Sequence, residues 1–421
     1  MKRLFIIFII FLIGCSKKND FVDVIITPTL TPEIEQPNIP KGYYVGKTSY
    51  ELEKAVKFYN LDSLRLKLGL INQSDPIGQH TNAFVYVDLN NDGFEDIYFP
   101  NVVKGNYQLR PTTLTYKNRF FNLDSSMLDL NWNGTSVTRK TLVGDFNSDS
   151  LPDLFLINHG FEALSDIGVG TFYYEYCGVL LSQKNGPYQY KQLTEFGKKF
   201  WHGGASGDLN GDGNLDVIIC EGTTTILLGD GKGGFTKSNI QLNVGNSNGY
   251  ITAEIVDVDK DGKNDIILSG DEGQPLPAFY SESSVFFNKG NSFEKVTITP
   301  SNTNGWRYVM DIACEDIDND GVNEIFLIRT EDNTAEKYGG YWFGGYWITV
   351  YKKDNLGTYK DVTNDFIPDN QLKRNKTGQW MYQMVMKKET DGLYGIYAYI
   401  TNVSTVQYWK QNTNRVFIKL K

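Results

Sequence analysis

The chain has 421 residues, 40% hydrophobic and 14% aromatic, which is enough apolar surface for one large core. Its 50 acidic side chains against 41 basic ones leave a formal charge of −9, the wrong sign for a nucleic-acid partner, which selects basic stripes. After Cys15 come Cys177, Cys220 and Cys314, an odd set without paired spacing that argues against a disulfide framework and reads as small buried hydrophobes.

Lys2 and Arg3 precede an apolar run from Leu4 to Ile13, too short to span a bilayer and matching the core of a signal peptide over residues 1–14. The run ends in Leu12-Ile-Gly-Cys15, which resembles the lipobox of bacterial lipoproteins. That resemblance implies cleavage before Cys15, acylation of its sulfur and a place in the cell envelope, at the outer membrane. Ser16-Lys-Lys-Asn-Asp20 resembles the charged export signal of Bacteroidetes surface lipoproteins, which implies exposure on the cell surface. Two or more acyl chains, at about 0.8 kcal/mol per buried CH₂, make a stable anchor. Residues 15–42 then form a Thr/Pro-rich tether with Pro28, Pro32, Pro37 and Pro40, a composition that stays extended.

Residues 43–80 predict a helix followed by a strand. Thr48-Ser-Tyr-Glu51 resembles a capping box, and Leu52, Val56 and Tyr59 share one helical face. Leu64, Leu66, Leu68 and Leu70 then alternate with Arg65 and Lys67, a strand pattern suited to pairing with an exposed blade edge.

From residue 81 onwards one acidic nonapeptide recurs five times, its first aspartates about 50 to 63 residues apart. Oxygen side chains at positions one, three, five and nine, with a carbonyl at position seven and a turn-forming Gly at six, suit a hard cation such as Ca²⁺. The predicted ligands of the first loop are Asp88, Asn90, Asp92 and Asp96 with the carbonyl of Phe94. Those of the second are Asp145, Asn147, Asp149 and Asp153 with Leu151, where Ser150 replaces the Gly. The third has Asp208, Asn210, Asp212 and Asp216 with Asn214, and the fourth Asp257, Asp259, Asp261 and Asp265 with Lys263. The fifth has Asp316, Asp318, Asp320 and Glu324 with Val322. Loss of Lys2 and Arg3 takes the charge to −11, and five structural Ca²⁺ would bring it to about −1, so the acidity reads as a metal requirement.

Alternating apolar stretches enter most of the loops, and short apolar strands such as Leu154-Phe-Leu-Ile157 and Ile266-Ile-Leu268 leave them. Two further strands follow each, joined by Gly/Asn turns. Four antiparallel strands per repeat predict an all-β fold, a β-propeller over residues 81–421. A decayed copy from Met381 to Phe417 makes six blades, or seven if residues 43–80 build one. Strand, Asp-x-Asx-x-Asp-Gly-x-x-Asp, apolar strand resembles the FG-GAP/VCBS-type repeats of integrin α-subunit propellers and many secreted bacterial proteins, and the resemblance implies a calcium-binding propeller.

If the loops join strands one and two, the connections on the other face gather His80, Trp132, His159, Trp201, His202, Tyr250, Trp306, Arg307, Trp342 and Trp380. This set reads as a recognition surface, since loops carry recognition more often than packing. Aromatics at these positions can equally wedge neighbouring blades. The expected function is a membrane-anchored, non-enzymatic binding or adhesion module for an envelope or extracellular glycan or protein. The alternative is a propeller enzyme, a polysaccharide lyase or hydrolase, using His80, His159, His202 and Arg307 with Asp271 and Glu272.

Overall fold

The computed structural model describes residues 83, 85–100, 111–117, 120–135, 137–163, 171–272, 280–298, 306–332, 343–368, 374–375, 381–388, 391–400 and 405–419. Almost all of its regular structure lies in six sheets whose strands pair in antiparallel fashion from the first to the fourth. The first blade is β1 (Val85–Val87), β2 (Asp96–Phe99), β3 (Thr112–Lys117) and β4 (Phe120–Leu123). The second is β5 (Thr138–Gly144), β6 (Asp153–Asn158), β9 (Gly178–Leu181) and β10 (Gln189–Gln192). Between its second and third strands an extra hairpin is inserted, β7 (Phe161–Ala163) and β8 (Thr171–Tyr173).

Blade three holds β11 (Gly203–Gly207), β12 (Asp216–Glu221), β13 (Thr223–Gly229) and β14 (Phe235–Lys237). Blade four holds β15 (Tyr250–Val256), β16 (Asp265–Gly270), β17 (Ser284–Asn288) and β18 (Phe293–Thr297). Blade five comprises β19 (Tyr308–Glu315), β20 (Glu324–Asp332), β21 (Phe343–Lys353) and β22 (Tyr359–Asp361), with β23 (Arg374–Asn375) added against β21. Blade six comprises β24 (Met381–Lys388), β25 (Tyr394–Ile400), β26 (Thr405–Gln411) and β27 (Phe417–Lys419). The first strands β1, β5, β11, β15, β19 and β24 lie side by side in chain order. The fold is a six-bladed β-propeller.

Period-two geometry explains why the second strands read as unbroken apolar runs. Successive side chains point to opposite faces, and each face meets a different blade. Val217 and Ile219 pack with Leu142, Phe155 and Ile157 of blade two, whereas Ile218 packs with Ile255 and Leu268 of blade four. Ile267 packs with Ile325 and Leu327 of blade five, while Phe326 and Ile328 turn to Ile396 and Trp409 of blade six. A strand buried on both faces has no polar side to alternate with.

Side-chain amides fasten neighbouring blades at the acidic-loop end. Asn264 Nδ2 donates to the carbonyl of Asp208 at 3.0 Å and Asn323 Nδ2 to that of Asp257 at 3.1 Å. In the sixth blade, which lacks an acidic nonapeptide, Gln411 Nε2 donates to Ile317 O at 3.1 Å.

Among the described residues the one α-helix is the short α1 (Thr363–Phe366), and no helix is long and apolar enough to cross a membrane. The expected helix and strand over residues 43–80 lie outside the described residues, as do Cys15 and the tether. Cys177, Cys220 and Cys314 are buried free thiols, and burial pushes that of Cys220 up to about 12.

Candidate functional site

All five acidic nonapeptides join the first strand of a blade to the second, and they share one hydrogen-bonded design. The position-one carboxylate gathers the amides of positions five and six. Asp88 accepts from Asp92 N at 3.0 Å and Gly93 N at 2.7 Å, and Asp257 from Asp261 N at 3.0 Å and Gly262 N at 2.8 Å. Position five accepts from the amide of position seven, as Asp212 does from Asn214 N at 2.8 Å. Two residues in every loop turn left-handed. Position six is Gly at φ 89°, 84°, 89° and 94° in Gly93, Gly213, Gly262 and Gly321, but Ser150 takes it at 67°. Position four is also left-handed, in Asn91, Ser148, Gly211, Lys260 and Asn319. Sequence reasoning missed position four because its residue type varies, although Asn and Gly, which tolerate this region best, fill three of the five.

The position-nine carboxylates of Asp96, Asp153, Asp216, Asp265 and Glu324 are buried at the start of their strands. One oxygen of each accepts the position-two amide, at 2.8 to 3.0 Å from Phe146, Leu209, Val258 and Ile317 among others. The second oxygen reaches the third-strand side of the blade in three cases. Asp153 accepts from Ser182 N at 2.7 Å, Asp216 from Gly229 N at 3.0 Å and Asp265 from Asn288 N at 2.8 Å. Position nine therefore staples loop to sheet, with lone pairs left over for a cation. Burial pushes Asp153 and Glu324 up to about 7, and Asp216 and Asp265 to about 6.

The donor set of the fourth loop fits a hard divalent ion. One oxygen each of Asp257, Asp259 and Asp265 lies within 4.8 Å of the others. Ca²⁺–O distances of 2.3–2.6 Å allow two ligands of one ion to be at most about 5.2 Å apart. Asp316, Asp318 and Asp320 converge equally closely in the fifth loop. There, however, Lys352 is already among the carboxylates, with Nζ 2.7 Å from Asp318 and 2.8 Å from Asp320. Burial lowers its pKa, but bonds to Asp318, Asp320 and Glu324 outweigh this and hold the ammonium above its ordinary range.

On the opposite face the structure divides the expected recognition set. Trp201, Tyr250 and Trp306 are completely buried, so they wedge blades rather than face a ligand. Trp201 packs among Leu142, Cys177 and Leu215 between blades two and three, and Tyr250 among Cys220 and Leu268 between blades three and four. Trp132 is half-buried and stacks on Tyr190, with ring centroids 4.5 Å apart. Arg307 Nε pairs with Asp271 Oδ1 at 3.1 Å. Glu272 is bound by the fully buried Arg329, whose Nε also donates to Thr349 at 3.1 Å. These two acids brace blades four and five. His80, Trp342 and Trp380 lie outside the described residues.

The structure does bring His159 and His202 together, with centroids 4.9 Å apart, and adds two residues that the sequence did not flag. Phe200 lies 4.9 Å from His202, and Tyr174, 48% exposed, meets Phe200 edge-on at 6.3 Å. Both stand in irregular stretches beside the β7–β8 hairpin, where no periodicity betrays them. Burial first, then the positive charge of Arg139, lowers both imidazoles, His202 to about 3. His202 also borders a narrow cleft at the channel mouth with Arg139, Lys140, Thr252, Asp311 and Gln383. Lys140 Nζ closes it on Asp311 at 3.0 Å, leaving about 10 Å³, room for roughly one water.

The glycines after His202 serve packing. A Cβ on Gly203 would lie 2.5 Å from Ile251 O of the next blade, and one on Gly207 2.3 Å from Ile255 Cγ2. β11 is built from Gly, Ala and Ser because it presses against β15.

The FG-GAP-like repeat family matches residues 208–268 and 257–327. No curated protein matches the chain. Solved structures of similar shape include an endo-1,4-β-xylanase from Bacteroides thetaiotaomicron, at 11% identity over 64% of this chain and 90% of that one, TM-score 0.36. The WD40 repeats of RRP9 align at 8% identity over 83% and 81% of the two chains, TM-score 0.43. A putative exo-β-1,3-galactanase from Bifidobacterium bifidum aligns at 12% identity over 68% and 96%, TM-score 0.39. The acidic loop of the repeat matched in blades three to five recurs in blades one and two, so the chain carries FG-GAP-like repeats on a six-bladed β-propeller.

Proposed function

We propose that this propeller is a non-enzymatic binding or adhesion module of the bacterial cell envelope, stabilised by calcium, that captures a glycan or a protein on the face opposite its acidic loops. The observation that supports this most is the aromatic ledge from buried His159 through Phe200 to the exposed ring of Tyr174. A ring braced by other rings offers a platform for a sugar face or an apolar side chain while little entropy remains to be lost on binding. Two acids that a polysaccharide lyase or hydrolase would draw on are committed to the framework, Asp271 to Arg307 and Glu272 to the buried Arg329, which favours the binding reading. A lipid on Cys15, with residues 15–42 as tether, would be the sole membrane contact and would hold the propeller at the outer membrane, and protease shaving of intact cells would tell the outer surface from the periplasm.

The test is a screen of the lipid-free protein against glycan and envelope-protein arrays, repeated with Tyr174→Ala. The expected result is capture by wild type and at least a tenfold loss in the variant at an unchanged melting temperature. Full capture by the variant, or turnover of a polysaccharide in place of capture, refutes the reading. Calcium is tested separately. The clustered carboxylates repel without an ion, so metal binding becomes folding free energy. Excess chelator should therefore lower the melting temperature substantially, and an unchanged curve would remove calcium from the account.

A further inference from the structure

The five loops differ in where their positive charge comes from. In the second and third, no lysine or arginine pairs with a ligand-position carboxylate among the described residues. In the fourth, Lys263 pairs with Asp261 at 2.9 Å and Lys289 with Asp259 at 3.4 Å, both from largely exposed side chains, and neither reaches Asp257 or the buried Asp265. In the fifth, every carboxylate is paired. Lys260, from the fourth loop, donates to Asp316 Oδ2 at 2.6 Å. Lys352 Nζ lies 2.7 Å from Asp318, 2.8 Å from Asp320 and 2.5 Å from Glu324. Those three are positions three, five and nine, the side chains that would surround an ion.

The lysine is not a stray surface charge folded back from solvent. Lys352 stands directly opposite Glu324 in the β20–β21 register, and its side chain is 17% exposed. By the same register the corresponding places in blades two, three and four fall to Leu181, Leu228 and Phe287, none of which carries a charge. Lys352 and Lys260 together supply the +2 of one calcium ion. An ammonium in ion-pair contact with three ligand carboxylates and a divalent ion cannot share that space, because each would sit within a few ångströms of the other's charge.

We propose that Lys352, aided by Lys260, replaces the divalent ion in the fifth loop, so that this loop keeps its shape without metal while the other loops depend on it. The metal count falls from the five that the loop spacing implies to at most four.

The test uses the full chain, stripped by chelator and dialysed against calcium, with bound metal per chain measured by mass spectrometry for wild type, Lys352→Met and Asp318→Asn. Lys352→Met should bind one more ion than wild type, because it vacates the cage while keeping an unbranched side chain. Asp318→Asn should bind the same number as wild type. A Lys352→Met protein that gains none, or an Asp318→Asn protein that loses one, overturns the proposal. Circular dichroism confirms that each variant is folded, and Asp318→Asn decides by itself should the other fail to fold. Because differences from wild type decide, the result does not depend on how many ions the remaining loops hold.

Discussion

Ser150 holds a backbone shape that its side chain opposes. At φ 67° its Cβ crowds the following carbonyl, a conformation that costs an L-residue about 1–2 kcal/mol and a glycine almost nothing. The position is kept because the amide of Ser150 donates to Asp145 Oδ2 at 2.9 Å, the bond that Gly93, Gly213, Gly262 and Gly321 make in their own loops. Ser150→Gly should therefore raise the melting temperature by on the order of 2 °C. Gly213→Ala should lower it by a similar amount, although nothing lies within 4 Å of the added methyl, since its strain is in the backbone. Thermal unfolding of both variants checks the pair; if Ser150→Gly has no effect, the residue relieves its strain through contacts it makes only as serine. The Gly-to-Ser departure was visible in the sequence. The burial of Trp201 and Trp306 was not, because a tryptophan beside a loop has the same letter whether it faces a neighbouring blade or solvent.

At the scale of the element, the second strands were legible and one first strand was not. Runs such as Val217-Ile-Ile-Cys220 announce burial on both faces, and the acidic loop before each fixes its start. β11, Gly203-Gly-Ala-Ser-Gly207, carries no apolar pattern because contact with β15 has replaced side-chain volume with proximity of backbones. Gly203→Ala should cost about 1–3 kcal/mol through overpacking, as Ile251 O would have to retreat. Gly186→Ala is the control: its nearest neighbour is 3.9 Å away, so denaturant melts should leave it near wild type. Equal midpoints for the two variants would mean that β11 moves freely against β15. The β7–β8 hairpin, which supports the proposed ledge, was likewise invisible, being short and interrupting the repeat.

For the whole molecule, the blades are held together at the channel by a few charges as well as by apolar cores. Asp311 of β19 receives Lys140 Nζ from β5 at 3.0 Å, Met384 N from β24 at 2.8 Å and Thr252 Oγ1 from β15 at 3.4 Å, so one carboxylate joins four blades. Glu254 of β15 belongs to the same set. Burial above all, with the negative charges of Asp311 and Glu315, outweighs the attraction of Lys140 and raises its carboxyl to about 7. The folded pKa thus exceeds the unfolded value of about 4.3. Its stabilising contribution is complete below that unfolded value and is lost as the pH rises through about 7, because the folded state must then hold a charge that it disfavours. Glu254→Gln keeps the shape without the charge. Its melting temperature should match wild type at about pH 4.5 and exceed it by a few degrees at about pH 8. A difference of the same size at both pH values would show that Glu254 acts through packing, and that Lys140 and Asp311 alone carry the charge across the channel.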